Sequence, residues 1–138
     1  MNMKSFLIAT VVGGITFFLL SSIFYGFLMA DFFANNAGSA TGVMKDPISL
    51  LGLFIGELAF GALYSYIFIK WANIKTFTGG LKGGAVRGLL LGLGFNLINY
   101  STSNLLNLTA SLTDAAWSMI AGALTGGIIA WVISKTSS

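Results

Sequence analysis

The strongest constraint on the fold is the recurrence of long apolar stretches separated by short polar ones. Residues 5–30, 47–71, 82–106 and 114–134 form four such stretches. Each is long enough to cross the hydrocarbon core of a bilayer, which takes about 20 residues of helix at roughly 1.5 Å rise per residue. A chain in lipid must satisfy its backbone hydrogen bonds internally, so each stretch is read as an α-helix. Composition agrees: 56% of the 138 residues are hydrophobic and only 8% are charged, against roughly a quarter in soluble domains. So few charges cannot coat a soluble globule. The expected fold class is all-α, with one domain over 1–138 built as an integral-membrane bundle of four transmembrane helices.

Local signals set the expected boundaries. Lys4 and Asp31 flank the first span. Its apolar run is too long for a signal-peptide core and no small-x-small site follows closely, so a retained anchor is expected. Residues 32–45, rich in Asn, Gly, Ser and Thr, read as a loop. Asp46-Pro47 then reads as a helix start, with Asp as N-cap and Pro in the first turn. Thr113-Asp114 reads as the cap of the fourth helix. Tyr64, Tyr66 and Trp71 near the end of the second span, and Trp117 and Trp131 near the two ends of the fourth, fit an interfacial aromatic belt. The third span has the weakest hydrophobic signal and is expected to be the one most shielded by protein.

Lys4, Lys70, Lys75, Lys82, Arg87 and Lys135 fall on one side of these spans, and Lys45 alone on the other. The positive-inside rule therefore puts both termini in the cytoplasm and predicts a multi-pass protein of a bacterial inner membrane. The net charge of +3 is a topology signal and implies no nucleic-acid partner. Asn107-Leu108-Thr109 matches a glycosylation sequon but lies in a very short loop, and glycosylation is not expected there.

The chain contains no cysteine and no histidine. Thiol redox chemistry, zinc and iron–sulfur sites and His-ligated haem are therefore not expected, and Ser–His and Cys–His catalysis are excluded. No metal site, cofactor or enzymatic constellation is predicted.

Gly80, Gly84, Gly88 and Gly92 recur every four residues, and Asn96 and Tyr100 continue the series. Residues at that spacing share one helix face, and a face of glycines lets a neighbouring backbone approach closely, in the manner of a glycine zipper. Gly122, Gly126 and Ala130 offer a matching row on the fourth helix; Gly52 and Gly56 do so on the second, and Gly14, Ser22 and Gly26 on the first. Helix packing within the chain is the expected use, with self-association the alternative.

Glu57 lies about ten residues into the second span, a depth of roughly 15 Å and near the midplane. No other acid is expected there. An unpaired carboxylate at that depth costs roughly 3 kcal/mol or more, so Glu57 needs donors from other helices or a proton of its own. Thr16 and Thr125 reach the same level by count, and Asn96 comes within one turn, so the four are expected to form one polar cluster. Two readings stay open: a proton or cation site, or a buried pin that fixes helix register. Arg87, about 6 Å from the cytoplasmic edge, is expected to snorkel outward or to bind a lipid phosphate. Asn99, Ser101, Ser103 and Asn104 read as the outer end of the third helix.

Three features together resemble a family of small bacterial four-helix membrane proteins defined only as a domain of unknown function. They are Phe24-Tyr25-Gly26 followed by Phe32-Phe33; Thr78-Gly79-Gly80 with Gly84, Gly88 and Gly92 to Phe95; and Asp114 with Trp117 leading into Gly122 and Gly126. Phe24 stands where that family usually has Trp. The resemblance implies a fold and a topology, and no activity.

The expected function is that of an accessory or scaffolding subunit of a membrane assembly. The alternative is a small proton- or cation-coupled transporter or channel, working as an oligomer with Glu57 at its centre. The expected partners are membrane lipids, together with another membrane protein or further copies of the chain.

Overall fold

The computed structural model describes residues 1–137. Helix α1 (Met3–Ile23) runs on into a π-helical turn, Phe24–Leu28, and the short α2 (Ala30–Asn35) follows. Helix α3 (Leu50–Tyr66) also ends in a π-helical turn, Ile67–Ala72; α4 (Phe77–Thr102) and α5 (Leu108–Thr136) complete the chain. Met3–Leu28, Leu50–Ala72, Phe77–Thr102 and Leu108–Thr136 are long and apolar enough to span a membrane.

Side-chain caps set where the long helices begin. Asn2, Ser49, Thr76 and Asn107 accept from the backbone N–H groups of Ser5, Gly52, Gly79 and Ala110, filling donors that the first helical turn leaves unpaired. These caps correct three expected boundaries. Helix α3 starts at Ser49 and not at Asp46-Pro47; α4 starts before Lys82; and α5 starts at Asn107, so that Thr113 and Asp114 lie inside the helix. Asn107 also ties the loops together, its Nδ2 donating to Asn36 Oδ1 at 3.0 Å. That is the structural use of the sequon residue.

Helix α4 packs along α5, α1 packs along α3, and contact between α1 and α5 joins the two pairs; α3 and α4 scarcely meet. The chain termini come together at one end, where the Ser5 and Thr136 hydroxyls are 2.7 Å apart. At the opposite, loop end, an antiparallel bridge between Ala37 and Leu106 stitches the two loops, with Gly38 N–H donating to the Leu105 carbonyl at 3.0 Å.

The apolar core, which includes Ala9, Phe17, Tyr64, Phe68, Ile129 and Ile133, lies where α1, α3 and α5 converge. Half of the most apolar stretch of α5 is buried, against 22% for α4, so the fourth span and not the third is the shielded one. The α4 signal is weak because glycine carries little hydrophobicity, not because the helix is enclosed. Large apolar side chains such as Leu7, Leu19, Leu51, Leu90 and Ile98 face outward, a surface suited to acyl chains.

The α4–α5 seam is a backbone contact. A Cβ at Gly80 would meet the Gly126 carbonyl, one at Gly84 the Gly122 carbonyl, and one at Gly88 the Ser118 carbonyl. The α1–α3 contact uses Gly13, Gly14 and Gly61. Gly26 and Gly56 face open space, and Gly52 meets only its own cap, Ser49. The predicted rows on α1 and α3 therefore contribute Gly14 and not Gly26, Gly52 or Gly56.

Candidate functional site

Between the two helix pairs, toward the loop end, lies a cavity of about 250 Å³. Helix α1 contributes Phe17 and Ser21, and its π-helical turn contributes Tyr25. Helix α3 contributes Glu57, Phe60 and Tyr64; α4 contributes Gly88, Leu91, Gly92, Phe95 and Asn96; and α5 contributes Asp114, Trp117, Ser118 and Ala121. Gly88 and Gly92 border the cavity, and their missing Cβ atoms let α5 approach closely at Ser118. Among the described residues the wall contains no Lys or Arg.

Two carboxyl groups face this space. Glu57 is the eighth residue of α3 and Asp114 the seventh of α5, so each lies about 10 Å below the first residue of its helix. The later start of α3 makes Glu57 shallower than the midplane depth expected from the sequence.

Asp114 is held from two sides. The Tyr25 hydroxyl donates to its Oδ1, and Asn96 Nδ2 donates to its Oδ2 at 2.7 Å. Asn96 Nδ2 also donates to the Gly92 carbonyl at 2.8 Å. Tyr25 reaches Asp114 from a π-helical turn, whose extra residue rotates the following side chains relative to an α-helix; such turns often occur at functional sites. Phe24, its neighbour, stacks flat on Trp117 with ring centroids 4.1 Å apart. Phe24-Tyr25 and Asp114 with Trp117, two of the sequence features noted above, thus form one contact between α1 and α5.

Glu57 has no comparable clamp. Its polar neighbour in the wall is Ser21 of α1. It also borders a second, more open groove, formed by α3 and residues 43–49, in which Lys45 is the cationic side chain. Glu57 therefore stands between the inner cavity and the outer groove.

Toward the terminal end the cavity is closed by Tyr64, 2% exposed, whose hydroxyl donates to the Gly84 carbonyl at 3.3 Å. Phe68 lies one turn further on, with the Arg87 guanidinium 4.9 Å from its ring centroid. Arg87 Nη1 donates to the Gly83 carbonyl at 3.1 Å. The half-buried Arg87 is thus turned toward the terminal end and does not line the cavity.

Of the four residues expected to cluster, Glu57 and Asn96 share the cavity; Thr16 and Thr125 do not line it. Thr16 donates to its own helix at the Val12 carbonyl, 2.8 Å away. Thr125 is fully buried and its hydroxyl has no partner among the described residues. Counting depth from a helix start at Asp114 places the start of the fourth helix about 1.7 turns too late, and so selects Thr125 in place of Asp114. Sequence reading missed Asp114, Tyr25, Ser21, Tyr64 and Trp117 as site residues. Their signal was present on α5: Asp114, Trp117, Ser118 and Ala121 fall at i, i+3, i+4 and i+7, one helix face. Tyr64 and Trp117, read as membrane-interface anchors, turn inward instead, while Trp71 and Trp131 are exposed.

Comparison with known proteins found no matching family, no similar curated protein and no similar solved structure.

Proposed function

We propose that this protein is a small transporter, coupled to protons or cations, whose binding site is the Glu57–Asp114 cavity. The observation that carries this reading is the convergence of two carboxyl groups from two helices on one space with no cationic side chain in its wall. A carboxyl group inside a membrane helix is expensive and is by default a functional candidate. A register pin needs one acid with its hydrogen bonds filled locally. Asp114 meets that description, and Glu57 does not. A proton and a cation would compete for Glu57, since a nearby positive charge favours an ionised carboxylate; that competition is the elementary step of coupled exchange. By the positive-inside rule the terminal end, which carries most of the basic residues, lies in the cytoplasm, so the cavity belongs to the outer half of the bilayer.

The test is reconstitution in liposomes loaded with a pH-sensitive dye. Adding cation outside should change the internal pH with the parent protein, and Glu57→Gln and Asp114→Asn should abolish the change while remaining folded. A silent parent, or variants that respond as the parent does, would overturn the reading. Orientation is tested separately, because the chain has no cysteine of its own. In intact cells an impermeant thiol reagent should label Ser39→Cys and spare Ser137→Cys.

A second reading, an accessory subunit of a larger assembly, is favoured by one feature. Gly56 on α3 is exposed with nothing close to it, leaving a face where another helix could approach. A stoichiometric protein partner after gentle solubilisation would support it.

A further inference from the structure

We propose that the cavity takes a small substituted ammonium ion, an organic cation, and not a bare inorganic one. This rests on the transporter reading of the same site and specifies its cargo.

Oxygen supply argues first. Hard inorganic cations are held by several oxygens; calcium takes about six to eight, and magnesium a full octahedron. Here Asp114 already accepts from Tyr25 and Asn96, and the wall is built from helices whose carbonyls are engaged in their own ladders. Of the two carboxyl groups in the wall, Glu57 is the one without a strong donor among the described residues. The site offers charge without a coordination shell.

The wall supplies aromatic surface instead. Phe17, Tyr25, Phe60, Tyr64, Phe95 and Trp117 all line the cavity. Aromatic faces attract alkylammonium groups, whose charge is spread over a surface that sheds water readily, and cages of aromatic rings are the usual receptors for such groups. Asn96, 8% exposed, also lines the space. Its amide nitrogen is engaged by Gly92 and Asp114, which leaves its carbonyl oxygen as an acceptor for the positive rim of a ligand.

Size agrees with this class. A volume of about 250 Å³ falls below the roughly 300–1,000 Å³ of pockets for drug-sized ligands and is far larger than a bare ion requires. The entrance agrees too. Phe60 on α3 and Phe95 on α4 both line the cavity, yet they are 40% and 59% exposed, on the two helices that scarcely meet. They form apolar lips on a lateral opening, a route for a cation with an apolar body and a barrier to a hydrated ion.

Trp117 provides a direct probe. With the exposed Trp71 and Trp131 replaced by Phe, it is the only tryptophan left, since the chain has three. The full-length protein in detergent is titrated with tetraethylammonium chloride and, in parallel, with sodium chloride. Tetraethylammonium should change Trp117 fluorescence saturably, and sodium should not. Glu57→Gln and Asp114→Asn should each weaken the response about tenfold or more, and Phe95→Leu about threefold or more, with helical content unchanged. The parent supplies a check that does not depend on folding of the variants. Acidification from pH 8 to pH 5 should weaken tetraethylammonium binding, because protons compete for Glu57; the other titratable groups around it are Asp114, Tyr25 and Tyr64 in the cavity wall and Lys45 in the outer groove. A saturable, Glu57-dependent response to sodium with none to tetraethylammonium would overturn the organic-cation inference and leave the transporter reading standing. A tetraethylammonium response indifferent to both carboxyl substitutions and to pH would also overturn the inference. Silence toward both salts would overturn the inference and the transporter reading together.

Discussion

The terminal half of the α4–α5 interface is sealed, while its loop-end half borders an open cavity, yet one row of residues on each helix runs through both. On α4 the row is Gly80, Gly84, Gly88, Gly92 and Asn96; on α5, running the other way, it is Gly126, Gly122, Ser118 and Asp114. At Gly80 and Gly84 the opposing atoms are the backbones of Gly126 and Gly122. At Gly88 and Gly92 they belong to Ser118 and its neighbours Ala115 and Met119. At the end of the row Asn96 meets Asp114 by a side-chain hydrogen bond. The same four-residue spacing therefore makes a dry backbone seam where the residues are smallest, and a polar site where they grow. What separates packing from chemistry along this row is side-chain size and polarity, not helix geometry.

That contrast can be broken at either end. The largest effect is expected at the seam. Gly84→Leu forces a side chain against the Gly122 backbone and should lower thermal stability in detergent by an overpacking cost of about 1–3 kcal/mol, at the upper end because the obstacle is backbone. Gly94→Leu, where a Cβ meets nothing within 4 Å, should melt like the parent. Equal melting of the two variants would remove the seam from the account.

A smaller effect is expected at the polar end. Asp114→Ala removes the acceptor used by both Tyr25 and Asn96 and leaves a buried amide donor with one partner fewer, a loss of about 1–3 kcal/mol. Asp114→Asn keeps the shape and an acceptor oxygen and should lose clearly less. If Asp114→Ala is as stable as Asp114→Asn, the hydrogen bonds from α1 and α4 do not hold this end together.

The smallest effect is expected beside the row, at Thr125. Its hydroxyl is buried and unpartnered, so Thr125→Val, which keeps the shape and removes the unsatisfied group, should change the melting temperature little or raise it slightly. A clear drop would show that Thr125 has a hydrogen-bond role in the membrane.

The architecture was largely legible in the sequence, because each long apolar stretch leaves a bilayer-spanning helix as the one way to satisfy its backbone. The glycine spacing on α4 was equally direct, since a four-residue repeat fixes a shared face wherever the helix starts. The site was half legible. Glu57 and Asn96 stood out as polar residues inside apolar runs. Asp114 was hidden because an acid after a threonine looks like a helix cap, and the true cap, Asn107, sits in what reads as a loop. A shift of that size in the start of α5 moves the level counted as the midplane along the helix, so Thr125 took the place of Asp114. Tyr25 was hidden for another reason: a π-helical turn breaks the periodicity from which its direction would be read. Tyr64 and Trp117 illustrate a third limit of pattern reading, since aromatic residues near span ends serve the membrane interface or the interior with the same sequence signature.

The central claim is that Glu57 and Asp114 act as one site. Both line one cavity, and two groups that hold one ligand are not independent of each other. Tetraethylammonium binding, read by Trp117 fluorescence in Glu57→Gln, Asp114→Asn and the double variant, measures this directly. The account predicts that the double variant loses clearly less affinity than the two single losses combined. Losses that simply add would contradict it.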